Sequence, residues 1–189
     1  IVGKLLTNLF AADTCLIGDA RKAEMQKLDV SFGLALQVAN IVKDCMEDST
    51  RRVCFVPEEI CRRHGFEHSY DMFNLPVGVA DEVRADFEAR RAAVMEELVK
   101  KAWGHLDDAI AYTKLVPNVK MRTRLFCLWP LFMAAENMKL IGDGSGLFAA
   151  DKKMKITRDT VKRIVKSTSM HFYSDRWIEK TYLQLKKGG

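Results

Sequence analysis

Gly33, Gln37, Asn40, Asp44, Glu47 and Asp48 are separated by 4, 3, 4, 3 and 1 residues. On a helix, at about 100° per residue, they fall within an arc of roughly 100°. Phe32, Leu34, Leu36, Val38, Ile41, Val42, Cys45 and Met46 fill the positions between them, so the segment carries a narrow polar stripe in an otherwise apolar helix. Three settings are open to it. A dry core would leave carboxylates unpaired at a cost of several kcal/mol each. Bulk water would leave an unusually wide apolar remainder to bury. A polar wall inside a helix bundle would let the acids hold a hard cation and the amides bond a ligand. Carboxylates four residues apart project one turn from each other and can share Mg²⁺, which takes oxygen ligands and is bound through one or two carboxylates plus substrate phosphates. A diphosphate held this way becomes a good leaving group, because the metal stabilises the charge that develops on its oxygens. Lys43, Arg51 and Arg52 add countercharge. The plainer alternative is a solvated helix end, an acid pair at i, i+4 followed by two arginines.

The elements around this stripe read as helices. Val2, Leu5, Leu6, Leu9 and Phe10 recur at helical spacing, and the first residue, Ile1, already lies within that pattern with no cap before it. The expectation is a chain that begins in mid-helix, with material upstream. Gly18-Asp19 breaks the pattern, with Asp19 placed to cap the next helix. Residues 23–48 read as one long helix whose stretch 30–46 is buried on most sides. Residues 53–56 cross in extended form to Pro57, which opens a short helix with Glu58 and Glu59 at its positive end. Residues 64–80, with Gly65, Asn74, Pro76 and Gly78, read as a loop with a helical turn. A long amphipathic helix follows over 81–115, then a turn at Pro117-Asn118. The next helix, 119–141, is kinked at Pro130, and residues 142–146 make a flexible connection. A final helix starts at Thr157 or Asp159 and ends near Leu185. No strand pattern is long enough to build a sheet. The fold class is all-α, with residues 1–189 as a single domain.

Composition narrows the function classes. With 189 residues the chain can bury a substantial core, and 48% hydrophobic against 29% charged residues is an ordinary globular balance. The net charge of +5 suits an anionic small ligand or an anionic membrane surface. No dense basic stripe with interleaved aromatics points to nucleic acid. Cys15, Cys45, Cys54, Cys61 and Cys127 form no CxxC pair and are odd in number, which predicts free thiols in a reducing, cytoplasmic setting. No signal peptide is visible, and no apolar run approaches the roughly 20 residues of a membrane span. His64, His68, His105 and His171 lack metal spacing and are expected in exposed or capping roles. Trp103, Trp129 and Trp177 are expected in the core, and Arg122-Thr123-Arg124 on a solvated face.

The wording of the stripe is more specific than its spacing. Gly33 through Asp48 resembles the second aspartate-rich motif of squalene and phytoene synthases, roughly G-x-x-L-Q-x-x-N-I-x-R/K-D-x-x-E-D, and Pro57 falls where that family has a proline after a short extended crossing. Val2-Gly3 with Leu5-Leu6 is similar to the family's V-G-x-x-L pattern. Phe126 to Ala134 is similar to the F-C-x-x-P-x-x-M-A stretch of squalene synthases proper, and Lys155-Ile156-Thr157-Arg158 to their K-I-x-R. The last two favour the squalene branch.

The resemblance implies an isoprenoid-synthase helical bundle around a central cavity, here its C-terminal portion. It implies head-to-head condensation of two farnesyl diphosphates to presqualene diphosphate, then squalene, with Mg²⁺ and NADPH as cofactors. Asp44 and Asp48 would bind Mg²⁺ with Glu47 assisting. Gln37, Asn40 and Lys43 would line the diphosphate site. Phe126, Lys155 and Arg158 would serve the reductant. Two departures stand out: the family's first aspartate-rich motif has no counterpart in these residues, and an arginine usual five residues after the last motif aspartate is Val53 here, leaving Arg51 and Arg52 to take its role. No glycine-rich dinucleotide fingerprint is present, and the family uses none. A phytoene or dehydrosqualene synthase without hydride transfer, and a non-catalytic helical binding module, remain open. Lys186-Lys187 could touch an anionic membrane where an apolar product is delivered.

Overall fold

The computed structural model describes residues 1–75, 77–148 and 154–188, and within them the only regular elements are helices, without a strand. Its helices are α1 (Val2–Ala12), α2 (Asp19–Thr50), α3 (Glu58–Arg63), α4 (Asp81–Leu115), α5 (Met121–Ile141), α6 (Arg158–His171) and α7 (Asp175–Lys187). Single 3₁₀ turns span Ser69–Phe73 and Ser145–Phe148. Pro76, part of the expected loop, lies outside the described residues.

The two longest helices form the spine. α2 packs most extensively on α4, and also on α1 and α5; α6 and α7 cover the far side of α5. On α2 a single stripe is buried, Met25, Asp29, Phe32, Ala35, Ala39, Val42 and Cys45, at steps of three and four. Ala35 and Ala39 let α4 come close, and Phe32 stacks on Tyr112 of α4 at 4.2 Å between centroids. The expectation of burial on most sides is therefore corrected: Val30 and Met46 are exposed, and the polar stripe borders a cavity. α1 crosses α2 in backbone contact at Gly3. A Cβ there would sit 1.6 Å from the Asp29 carbonyl oxygen, so only glycine fits. Thr7, one turn on, bonds the Tyr112 hydroxyl at 2.9 Å.

Several boundaries differ from the sequence reading. Asp19 is the first residue of α2 with Gly18 at the cap position, where an acid still complements the helix dipole. The expected last helix is two. Thr157 caps α6, accepting from the Thr160 N–H, and Ser174 caps α7, accepting from the Trp177 N–H. The apolar period continues through the break, which hid it, while Ser174-Asp175 is a start signal. The 142–146 connection is a packed turn: Gly144 has φ +86°, a Cβ on it would stand 2.9 Å from the Met95 Cβ, and Leu147 is buried just beyond. α5 runs unbroken through Pro130.

Polar residues are also placed differently. Arg124, expected in solvent, is 1% exposed; its guanidinium donates to the Val116 carbonyl at 3.1 Å and pairs with Asp175. His105 is half-buried and bonds Ser31 of α2 at 2.7 Å, and Ser31 donates to Asp108 at 2.6 Å. His64 meets Glu97 at 3.1 Å, and His171 stacks on Trp177. All five cysteines are free, with Cys45, Cys61 and Cys127 buried. Lys186 of the basic tail is held by Asp107 at 2.6 Å. No helix among the described residues is long and apolar enough to cross a membrane.

Candidate active site

The outward face of α2 forms one wall of an open cavity of about 690 Å³. Every member of the stripe lines it: Gly33, Gln37, Asn40, Asp44, Glu47 and Asp48, together with Lys43 and Arg51. Val2 of α1, Leu36 and Ile41 of α2, and Phe55 supply apolar wall, and Lys155 arrives from the segment before α6. The helix that buries Ala39, Val42 and Cys45 against its neighbours must present Asn40, Asp44 and Glu47 on the opposite side, because 3.6 residues per turn separates the two sets. Burial pushes the Cys45 thiol up to about 12, so it stays protonated and offers no thiolate beside the acids.

The ion pairs alternate in sign along the wall. Lys43 Nζ lies 3.0 Å from Asp44 Oδ2, and Lys155 Nζ lies 3.3 Å from Asp44 Oδ1 and 2.7 Å from Glu47 Oε2. Arg51 donates to Glu47 Oε1 at 2.9 Å. The Lys155 hydrogen bond and charge, then Arg51, hold the Glu47 carboxyl below its ordinary range, and the same contact raises Lys155. Asp48 lines the cavity with no ion-pair partner among the described residues. The segment carrying Lys155 is fixed from behind: the Ile156 N–H donates to Asn137 Oδ1 of α5 at 3.1 Å.

No three His, Cys, Asp or Glu residues among those described converge as a closed metal cage. The donor set nevertheless fits magnesium. It is all oxygen, it places two carboxylates one turn apart on a cavity wall, and it surrounds them with cations suited to phosphate oxygens, matching an ion held by one or two carboxylates plus its substrate. The nicotinamide set is different. Lys155 is in the cavity, whereas Phe126 is 55% exposed on α5 with its ring edge-on to Phe10, and Arg158 is exposed at the first position of α6. Neither Phe126 nor Arg158 is among the residues that line this cavity. Arg52 also lies outside the lining, in left-handed backbone at φ 59° just past the end of α2.

A second groove of about 390 Å³ shares Leu36, Asn40, Lys43 and Lys155 with the first and adds Pro130, Met133, Ala134, Asn137, Ile156 and Val161. Sequence reading missed Asn137 and Phe55 as parts of the site. An aromatic in the short crossing after α2 was the available signal for Phe55, and none marked Asn137.

Comparison with known proteins bears on the family and the fold. The model of the squalene/phytoene synthase family matches residues 1–169. The squalene synthase of Yarrowia lipolytica is 27% identical over 187 residues, covering 96% of this chain and 38% of its own length. That of Candida albicans is 31% identical over 140 residues, 73% of this chain and 28% of its own. A solved structure of TcSQS in complex with a ligand, E5700, superposes with a TM-score of 0.71 at 26% identity, over 97% of this chain and 49% of that one. The chain thus spans half or less of the length of these relatives. Its all-α architecture is the isoprenoid-synthase fold of squalene synthase. A match over so much of the chain, with the motif residues gathered on one cavity wall, settles its membership: the chain belongs to the squalene/phytoene synthase family.

Proposed function

We propose that α2 provides a magnesium–diphosphate wall for a prenyl transferase of the squalene synthase type, which joins two farnesyl diphosphates head to head to give presqualene diphosphate and then squalene. The observation that carries this reading is the gathering of Gln37, Asn40, Asp44, Glu47 and Asp48 on one cavity wall, with Lys43, Arg51 and Lys155 beside them. In this reading Asp44 and Asp48 hold Mg²⁺, with Glu47 assisting. When bound, the ion neutralises charge on the departing diphosphate. Lys43, Arg51 and Lys155 donate to diphosphate oxygens through charge-assisted hydrogen bonds. Gln37 and Asn40 orient the same group from one turn further along. Leu36, Ile41, Val2 and Phe55 supply apolar wall, which keeps water from a reactive allylic cation.

Calorimetry with Mg²⁺ and inorganic pyrophosphate tests the wall directly. Pyrophosphate should bind the chain only when Mg²⁺ is present, and Asp44→Ala should weaken that binding by at least about tenfold, the scale of a lost charged contact. Equal binding by the variant would leave a helical binding module that does not use these acids. The second reading is a phytoene or dehydrosqualene synthase, which would use the same wall and transfer no hydride. Product analysis with and without NADPH, on a protein containing this chain, separates the two.

A further inference from the structure

Asp44 and Glu47 each have both carboxylate oxygens engaged by cations, and one cation is common to them. Lys155 Nζ reaches Asp44 Oδ1 at 3.3 Å and Glu47 Oε2 at 2.7 Å. Lys43 takes the other oxygen of Asp44 and Arg51 the other oxygen of Glu47. Lys43 and Arg51 belong to the same stretch of chain as the acids, so they are present beside them in any conformation of α2. Lys155 alone is brought from another element, 108 residues away from Glu47 in sequence, by the bond from the Ile156 N–H to Asn137 on α5.

We propose that Lys155 is a built-in counter-ion for Asp44 and Glu47 that changes partners, from carboxylate to diphosphate oxygens, as the metal ion and diphosphate bind. The inference rests on the metal-and-diphosphate reading of this site. A divalent ion approaching Asp44 Oδ1 or Glu47 Oε2 meets an ammonium group already on that oxygen, so the two compete. The exchange is easily made: Lys155 is 45% exposed and Glu47 49%, and ion pairs this open to solvent are weak. A lysine suits the role, being a compact charge on a flexible four-carbon stem. Once released, its ammonium remains in the cavity, where the incoming diphosphate brings new oxygens.

The test uses Mn²⁺ as a probe, counting free ion by its paramagnetic resonance signal, on the parent chain, Lys155→Met, Asp44→Ala and a remote charge control, Lys162→Met on α6. Without pyrophosphate, Lys155→Met should bind Mn²⁺ about three- to tenfold more tightly than the parent, the range expected for removing a weak competing pair plus its positive charge. The control should change less than twofold. With Mn²⁺ saturating, the same Lys155→Met variant should bind pyrophosphate at least about fivefold more weakly, through loss of a charge-assisted bond. Unchanged or weaker Mn²⁺ binding in Lys155→Met, or a control that tightens as much, overturns the counter-ion role while leaving the metal site standing. Unchanged pyrophosphate binding overturns the change of partner. If Asp44→Ala binds Mn²⁺ as tightly as the parent, the ion sits elsewhere and the metal reading fails along with this one.

Discussion

Asp44, Glu47 and Asp48 sit at one helix end in three different electrostatic settings. Asp44 is shared between Lys43 and Lys155, Glu47 between Lys155 and Arg51, and Asp48 lines the cavity without an ion-pair partner among the described residues. If the wall binds a metal ion, Asp48 is the acid whose oxygens need displace no cation among the described residues. Asp48→Asn should therefore weaken Mg²⁺-dependent pyrophosphate binding by about tenfold or more, comparable to a lost hydrogen bond to a charged group. The two arginines that follow should separate in the same assay. Arg51→Gln should weaken binding about three- to tenfold, because its guanidinium lies in the cavity, and Arg52→Gln should change it less than twofold. From sequence the two were equivalent, and the left-handed backbone at Arg52 is what turns them apart.

At the scale of elements, the site depends on how α1 and α4 hold α2. Gly3 allows α1 to lie against the Asp29 carbonyl, and a methyl group on Gly33, one turn along α2, would stand only 3.2 Å from the Gly3 amide nitrogen. Gly3→Ala must push the helices apart. It should cost about 1–3 kcal/mol, the usual range for overpacking, read as a lower denaturant midpoint with an unchanged slope. Val2, which lines the cavity, would move with it. α3 is held to α4 by Glu97, which accepts from Arg63 and His64. Arg63 chiefly, against the opposing effect of burial, and then His64 keep its carboxyl below the ordinary 4.5. A depressed acid stabilises fully above its unfolded-state value and loses that contribution as pH falls through the folded-state one. The amide-exchange protection factors over Glu58–Arg63, corrected for intrinsic rates, should therefore fall on acidification below about pH 4.5, and Glu97→Gln should weaken that dependence.

Over the whole molecule, the contact that sequence misjudged most is Arg124. A guanidinium 1% exposed joins the turn before α5 to the first residue of α7, donating to Val116 and Asp175 while its Nε has no partner among the described residues. A charge buried this far needs its counter-ion more than an open pair does. Asp175→Ala should destabilise the fold by about 2–4 kcal/mol, and Arg124→Met with Asp175→Ala together should recover part of that loss, since no buried charge is then left alone. Thermal unfolding of Arg124→Met, Asp175→Ala and the double variant reads the cycle.

The residue pattern by itself determined that the chain is helical, but neither the break between α6 and α7 nor how narrow the buried stripe of α2 is. A period of 3.6 made Asp81–Leu115 legible, and it placed Gln37, Asn40, Asp44, Glu47 and Asp48 on a common face before any neighbour was known. That face borders a cavity only because α4 and α5 cover the opposite side, which is a matter of packing between segments far apart in the chain. The tertiary structure alone decided that Lys155 meets Asp44 and Glu47 and that Arg124 is buried. Local propensity reaches a few residues, whereas these contacts are set by which helices pack together and by distant contacts such as the hydrogen bond from the Ile156 N–H to Asn137.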